Sequence, residues 1–234
     1  MRPLWDALVL RTPAPPPWVV VVSFVVAATA VGSPRAWKLS RQVITIAHEG
    51  GHAMVGLLVG RRLSGIRLHS DTSGVTVTSG RPRGIGMVAT VAAGYVMPSL
   101  LGLGAAWVVA SRHIGALLLC TVFLLAAMLA TVRNVFGMLS VALCATATFG
   151  AVWSGSSTLQ AAMAWTVTWL LLLGGPRPIW ELHRARRRYR GTTTDADQLA
   201  ALTHVPALLW TAGFALVALA ALAIGARWLV MTVR

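Results

Sequence analysis

Acidic residues are what this chain has least of: six, against twenty basic residues in a length of 234. Charged residues of both signs reach only 11%, where a soluble domain carries about 25%. That shortage excludes a water-facing surface for most of the chain. Cysteine is nearly absent as well. Cys120 and Cys144 both fall in apolar runs and form no CxxC or zinc-ribbon spacing, so they read as small hydrophobes. All the basic residues except Lys38 are arginine, and the net charge is +14. No nucleic-acid partner is expected from that charge, because the arginines sit in short loops between apolar runs. Such loops face the cytoplasm and the anionic headgroups of a lipid bilayer.

What the chain has in quantity is hydrophobic residues, 56% of the total, with a mean hydropathy of +0.72. Runs of about 20 apolar residues cross a bilayer. Seven candidates fit, at about 18–32, 38–60, 85–110, 114–131, 135–153, 157–174 and 204–230. The fold class expected is an all-α polytopic membrane protein of about seven transmembrane helices. Ala28-Thr29-Ala30 resembles a cleavage site, but the long leader before the first apolar run favours a retained anchor. With seven crossings, fourteen of the twenty basic residues share one side, which puts the N-terminus and the 61–84 and 175–203 loops in the cytoplasm. Trp18, Trp37, Trp153 and Trp180 stand near span ends and read as interfacial anchors. The Arg184–Arg190 run reads as a headgroup-binding face.

One loop breaks the helical pattern. Residues 63–79 alternate on both sides of Ser70-Asp71-Thr72-Ser73-Gly74, which predicts a β-hairpin directly after the second apolar run.

That run contains His48-Glu49-Gly50-Gly51-His52. Residues four apart share one face of a helix, so His48 and His52 can present two imidazoles to one Zn²⁺. Glu49 adjoins that face and can act as general base toward a water on the metal. Ionisable residues inside a span cost several kcal/mol and are retained for function. Gly50 and Gly51 permit close approach of a neighbouring helix or of an extended substrate.

Catalytic zinc takes three protein ligands and leaves a position for water. The other acidic residues are Asp6, Asp71, Glu181, Asp195 and Asp197. Asp6 precedes the first span, Asp71 lies at the hairpin tip as a turn residue, and Glu181 sits among arginines that can pair with it. Elimination leaves the Asp195-Ala196-Asp197 segment without choosing between its two carboxylates. His69, His113 and His183 read as surface residues. His204 shares a helical face with Asp197 and can support it.

These residues together resemble the site-2 protease family of intramembrane zinc metallopeptidases, in its compact bacterial branch. The matching stretches are Thr45 to Met54, Ala93-Gly94-Tyr95, Arg133 to Gly137, Thr194-Asp195-Ala196, Leu199-Ala200 and Thr203 to Pro206. The Leu-Asp-Gly motif that carries the aspartate in better-studied members is absent. The resemblance implies His48 and His52 as zinc ligands, Glu49 as catalytic base, and Asp195 ahead of Asp197 as third ligand. It implies a domain over 38–234 after a tail and anchor at 1–37. It also implies a bacterial cell-membrane location and a membrane-protein substrate, and it sets no oligomeric state. The alternative is a non-proteolytic membrane scaffold or regulator that retains the zinc site. A metal transporter is disfavoured, since the other spans lack the polar residues of an ion pathway.

Overall fold

The computed structural model describes residues 11–188 and 194–233. Asp6 and the Arg2 end of the tail lie outside them, as does part of the Arg184–Arg190 run. The expected class holds: nine helices and one two-stranded hairpin make up the described elements.

The first two helices are α1 (Pro17–Gly32) and α2 (Pro34–Leu58). They were expected as separate spans, but they form one pair bent by 100°. The cause is local. Ser33 precedes Pro34 and is therefore driven out of the helical region, to φ −78° and ψ 129°, while Pro34 is suited to the first turn of a new helix. Five other segments are long and apolar enough to cross a membrane, six crossings if the bent pair counts as one. These are α3 (Ile85–Ala110), α4 (Ile114–Thr131), α5 (Val135–Trp153), α6 (Ser157–Gly174) with its continuation, and α9 (Ala207–Val233).

The expected long polar loop at 175–203 is largely helical. Helix α7 (Pro176–Arg188) extends the span of α6 as far as Arg184, and α8 (Asp195–Thr203) is a short separate helix before α9. Ile179 and Leu182 of α7 are buried with Val91 of α3, Leu199 of α8 and Phe214 of α9. Trp37 is no interfacial anchor. It is 4% exposed, and its indole N–H donates to Glu181 Oε1 at 2.8 Å, tying the start of α2 to α7. Trp18, Trp153 and Trp180 are exposed.

The hairpin joins β1 (Arg62–Leu68) to β2 (Gly74–Ser79) in antiparallel register. It folds back along α2. Thr78 lies over Gly56, Thr76 reaches Glu49, and the hydroxyl of Thr45 donates to the Thr72 carbonyl at 2.8 Å. Arg61 closes its base through Thr78 Oγ1 at 3.0 Å and the Arg81 carbonyl at 2.6 Å.

A strand edge away from water leaves backbone groups that cost several kcal/mol each if unpaired. The α4–α5 connection covers the outer edge of β1. Val132 bridges Ile66, and the Arg133 N–H donates to the Ile66 carbonyl at 2.9 Å. Asn134 stands at the N-cap of α5, yet its amide makes no helix cap. It acts as a strand instead. Its Oδ1 accepts from Leu68 N at 3.1 Å, and its Nδ2 donates to Leu68 O at 2.7 Å. Asn134→Ala should therefore lower stability by about 1–3 kcal/mol, the cost of stranding the two backbone groups of buried Leu68. A thermal melt of the detergent-solubilised protein checks this, and an unchanged midpoint would contradict the clip.

Candidate metal centre

Helix α2 sets the two histidines one turn apart, so their rings meet edge to face with centroids 4.7 Å apart. Their Nε2 atoms are 3.1 Å from each other. Asp195, the first residue of α8, completes a triangle: its Oδ2 is 3.1 Å from His48 Nε2 and 3.3 Å from His52 Nε2. Among the described residues, these three form the one group of His, Cys, Asp or Glu whose ligand atoms gather closely enough to hold a metal ion.

The donor chemistry fits a cation. His52 Nδ1 lies 2.8 Å from the Thr90 carbonyl of α3, an acceptor, so Nδ1 carries the proton and a neutral His52 has its lone pair on Nε2. A histidine ligand commonly has its other nitrogen held by a carbonyl in this way. Asp195 Oδ2 is buried and takes no hydrogen bond. The His52 lone pair, Asp195 Oδ2 and His48 Nε2 thus converge on one point, a donor set that suits a cation. Tetrahedral zinc ligands stand about 3.3–3.6 Å apart, close to the separations here.

Small residues make the space. A Cβ on Gly94 of α3 would strike the imidazoles of both His48 and His52. A Cβ on Gly51 would sit 2.6 Å from Met97 Cβ and 2.9 Å from the Ala93 carbonyl, so Gly51 is where α3 packs onto the motif helix. Gly50 has nothing within 4 Å and faces open space. The close approach expected of both glycines falls on one of them.

Glu49 is 4% exposed, and its Oε2 accepts from the Thr76 hydroxyl of β2 at 2.6 Å. Gly74 also touches it, since a Cβ there would lie 2.6 Å from Glu49 Oε1. The two are bracketed by a cavity of about 160 Å³, lined by Arg41, Thr45, His48, Glu49, Gly74 and Tyr95 among others. Tyr95 meets the His48 ring at 4.8 Å and stacks on Phe214 at 5.4 Å. A larger hollow of about 410 Å³ on the outer face of the hairpin touches none of these three ligand residues.

The remaining candidates lie elsewhere. Asp197 forms a capping box with Thr194: its Oδ2 accepts from Thr194 N at 3.1 Å and from Thr194 Oγ1 at 2.6 Å. Asp71 accepts from Ser73 Oγ at 2.6 Å and from Ser73 N at 2.9 Å, which holds its carboxyl below the usual carboxylate range. Glu181 pairs with Arg177 at 3.4 Å and with Arg41 at 3.6 Å. His204 ends α8 in the left-handed conformation, exposed. Thr90, Gly74 and Thr76 were not singled out from the sequence. Thr90 acts at the site through its backbone carbonyl, which any residue type supplies, and Thr76 is one of several alternating threonines.

The model of the Peptidase M50B-like family matches residues 21–225. The chain belongs to that family. This Peptidase M50B-like chain therefore stands among the site-2 type of membrane metallopeptidases, as its motifs led us to expect. No curated protein and no solved structure gives a significant match to it.

If Asp195 is the third ligand, Asp195→Asn should reduce bound metal from about one ion per chain toward none. Asp197→Asn should keep the metal and melt near the wild type, since an amide oxygen can still accept from Thr194 N and Oγ1. Elemental analysis with parallel thermal melts separates the two, and full metal retention in Asp195→Asn would rule out the assignment.

Proposed function

We propose that this M50B-like protein is a zinc-dependent endopeptidase that hydrolyses peptide bonds of membrane-embedded protein segments. The observation that carries the proposal is the placement of Glu49. A buried carboxylate stands beside three convergent ligand atoms, on a cavity with polar lining, in a helix flanked by membrane spans.

Two imidazoles and one carboxylate suit zinc, with a fourth position left for water. Bound between His48, His52 and Asp195, zinc would supply Lewis-acid activation of a water and of the scissile carbonyl. The remaining work falls to the chain. Glu49 takes the proton of the attacking water and delivers it to the leaving amine. The Thr76 hydroxyl holds Oε2, so the other oxygen of Glu49 is the one left to move the proton. The Thr90 carbonyl keeps His52 in the tautomer that points its lone pair inward. The cavity supplies water in a region the bilayer would otherwise keep dry.

A helical substrate shields its peptide bonds and must unwind locally. Strand β2 offers it a place. The sheet has the order β1–β2, so β2 has no second strand beside it among the described residues, and it passes directly over Glu49. An unwound segment added along that edge would satisfy its own backbone groups while lying next to the base.

We place the chain in the bacterial cell membrane, crossing it several times, with the hairpin face in the cytoplasm. That face carries the 61–84 arginines, Arg133 and Arg184, whereas the opposite one has Arg112, Arg227 and Arg11, whose neighbour Thr12 donates its N–H to the Arg112 carbonyl at 2.7 Å. If α1 and α2 count as one crossing, the N-terminus falls opposite the hairpin, the reverse of what seven separate crossings imply.

Glu49→Gln should retain zinc and lose about 10²–10⁴-fold in cleavage of a membrane-embedded reporter by the purified protein. Zinc retained in both forms with no Glu49-dependent cleavage would favour the scaffold or regulator instead.

A further inference from the structure

The hairpin has two faces, and catalysis as proposed uses one of them. Gly74, Thr76 and Thr78 look toward α2. The other face forms the hollow of about 410 Å³, lined by Gly65, Arg67, His69, Val75, Val77 and Arg133 together with Ser64. Its floor is apolar, Val75 and Val77 each being 49% exposed. Its rim is cationic. Neither Arg67 nor Arg133 has a carboxylate partner among the described residues, where the ion pairs are those of Arg41, Arg177, His48 and His52. Asp71, the one acidic residue on the hairpin, is turned into its own tip by Ser73.

The position of Arg133 is fixed from several sides. It lies in the three-residue connection between the end of α4 at Thr131 and the start of α5 at Val135, the level at which hydrocarbon gives way to headgroups. Its backbone is pinned to Ile66. Its side-chain stem lies across Gly65, where a Cβ would come within 2.5 Å of Arg133 Cγ. Gly65 also has φ +155°, which disfavours any residue with a side chain. Arg133 Nε lies 3.4 Å from that Cβ position, so the side chain runs along the sheet, and Arg67 lines the same hollow. Next to it, the first turns of α5 present Val135, Phe136 and Leu139 outward, as a lipid-facing helix does.

We propose that this hollow binds an anionic phospholipid. Its phosphate sits between Arg67 and Arg133, and an acyl chain runs over Val75 and Val77. Arginine pairs with phosphate through two parallel hydrogen bonds, and an unpaired cation at the headgroup level is where such a lipid is drawn. The valines explain why a lipid is favoured over an acidic peptide: a cationic rim above an exposed apolar floor matches an amphiphile. The occupant would brace the outer face of the strand whose inner face holds Glu49. This binding does not rest on the proteolytic reading.

The test is native mass spectrometry of the full chain in detergent, titrated with phosphatidylglycerol or with phosphatidylcholine. Phosphatidylglycerol should fill one high-affinity site that phosphatidylcholine does not. Arg67→Gln and Arg133→Gln should each weaken that site about tenfold, while Arg184→Gln, on α7, leaves it unchanged. Val75→Ser with Val77→Ser should weaken the diacyl lipid but not a short-chain glycerophosphate. Thermal melts matching the wild type confirm that the variants are folded. Equal binding of the two lipids would overturn the proposal. So would undiminished phosphatidylglycerol binding in a folded Arg67→Gln, Arg133→Gln double variant, or displacement of the lipid by an acidic peptide that binds more tightly.

Discussion

The structure is organised around three lone-pair donors that must be made to face one another. His48 Nε2, His52 Nε2 and Asp195 Oδ2 converge within 3.1–3.3 Å of one another, a geometry that three separate elements must hold in place. The helix repeat supplies the histidine pair at no cost. The rest is imposed from outside α2. The Thr90 carbonyl turns His52, Gly94 leaves room for both rings, and α8 carries Asp195 inward from the far end of the chain. The fold itself brings the three groups together, so a metal ion held among them, as we propose, would require little rearrangement of the chain.

A second constraint follows from the bilayer. A β-hairpin beside membrane spans is an awkward object, because its edges carry backbone groups that lipid cannot satisfy. This chain resolves one edge with a connection between helices, where Val132, Arg133 and Asn134 behave as a short third strand against β1. The other edge, β2, has no further strand beside it among the described residues. The asymmetry matches the two tasks of the sheet, one strand anchored and the other running over Glu49. Burial of Ile66 and Leu68 against Ile46, Ala53 and Val141 makes β1 the fixed member.

Some of this was legible in the sequence, for identifiable reasons. Apolar runs reveal spans because length and hydropathy suffice, and the hairpin was legible because a turn cluster separated two alternating segments. The bend between α1 and α2 was written in Ser33-Pro34, yet two hydrophobic runs separated by charge look the same whether they cross twice or once. Helix α7 was hidden by its composition. Gly174, Gly175 and Pro176 followed by arginines resemble a loop, and the helix there depends on burying Ile179 and Leu182 against α3, α8 and α9. The motif pair His48 and His52 could be read from spacing alone. Asp195 and Asp197 could not be separated by residue type, because both stand in the first turn of the same helix, α8. What distinguishes them is that Asp195 points to the histidines while Asp197 folds back to Thr194, a matter of tertiary position. Trp37 misled for the same reason: at a span end, a buried tryptophan and an interfacial one have the same local sequence.

We propose that His48, His52 and Asp195 bind one zinc ion, and X-ray absorption at the zinc edge of the purified protein is the sharpest check of that binding. Two imidazole nitrogens and at least one carboxylate or water oxygen are expected at about 2.0–2.2 Å, with no sulfur shell near about 2.3 Å. A sulfur shell, a single imidazole, or no zinc bound after loading would contradict it.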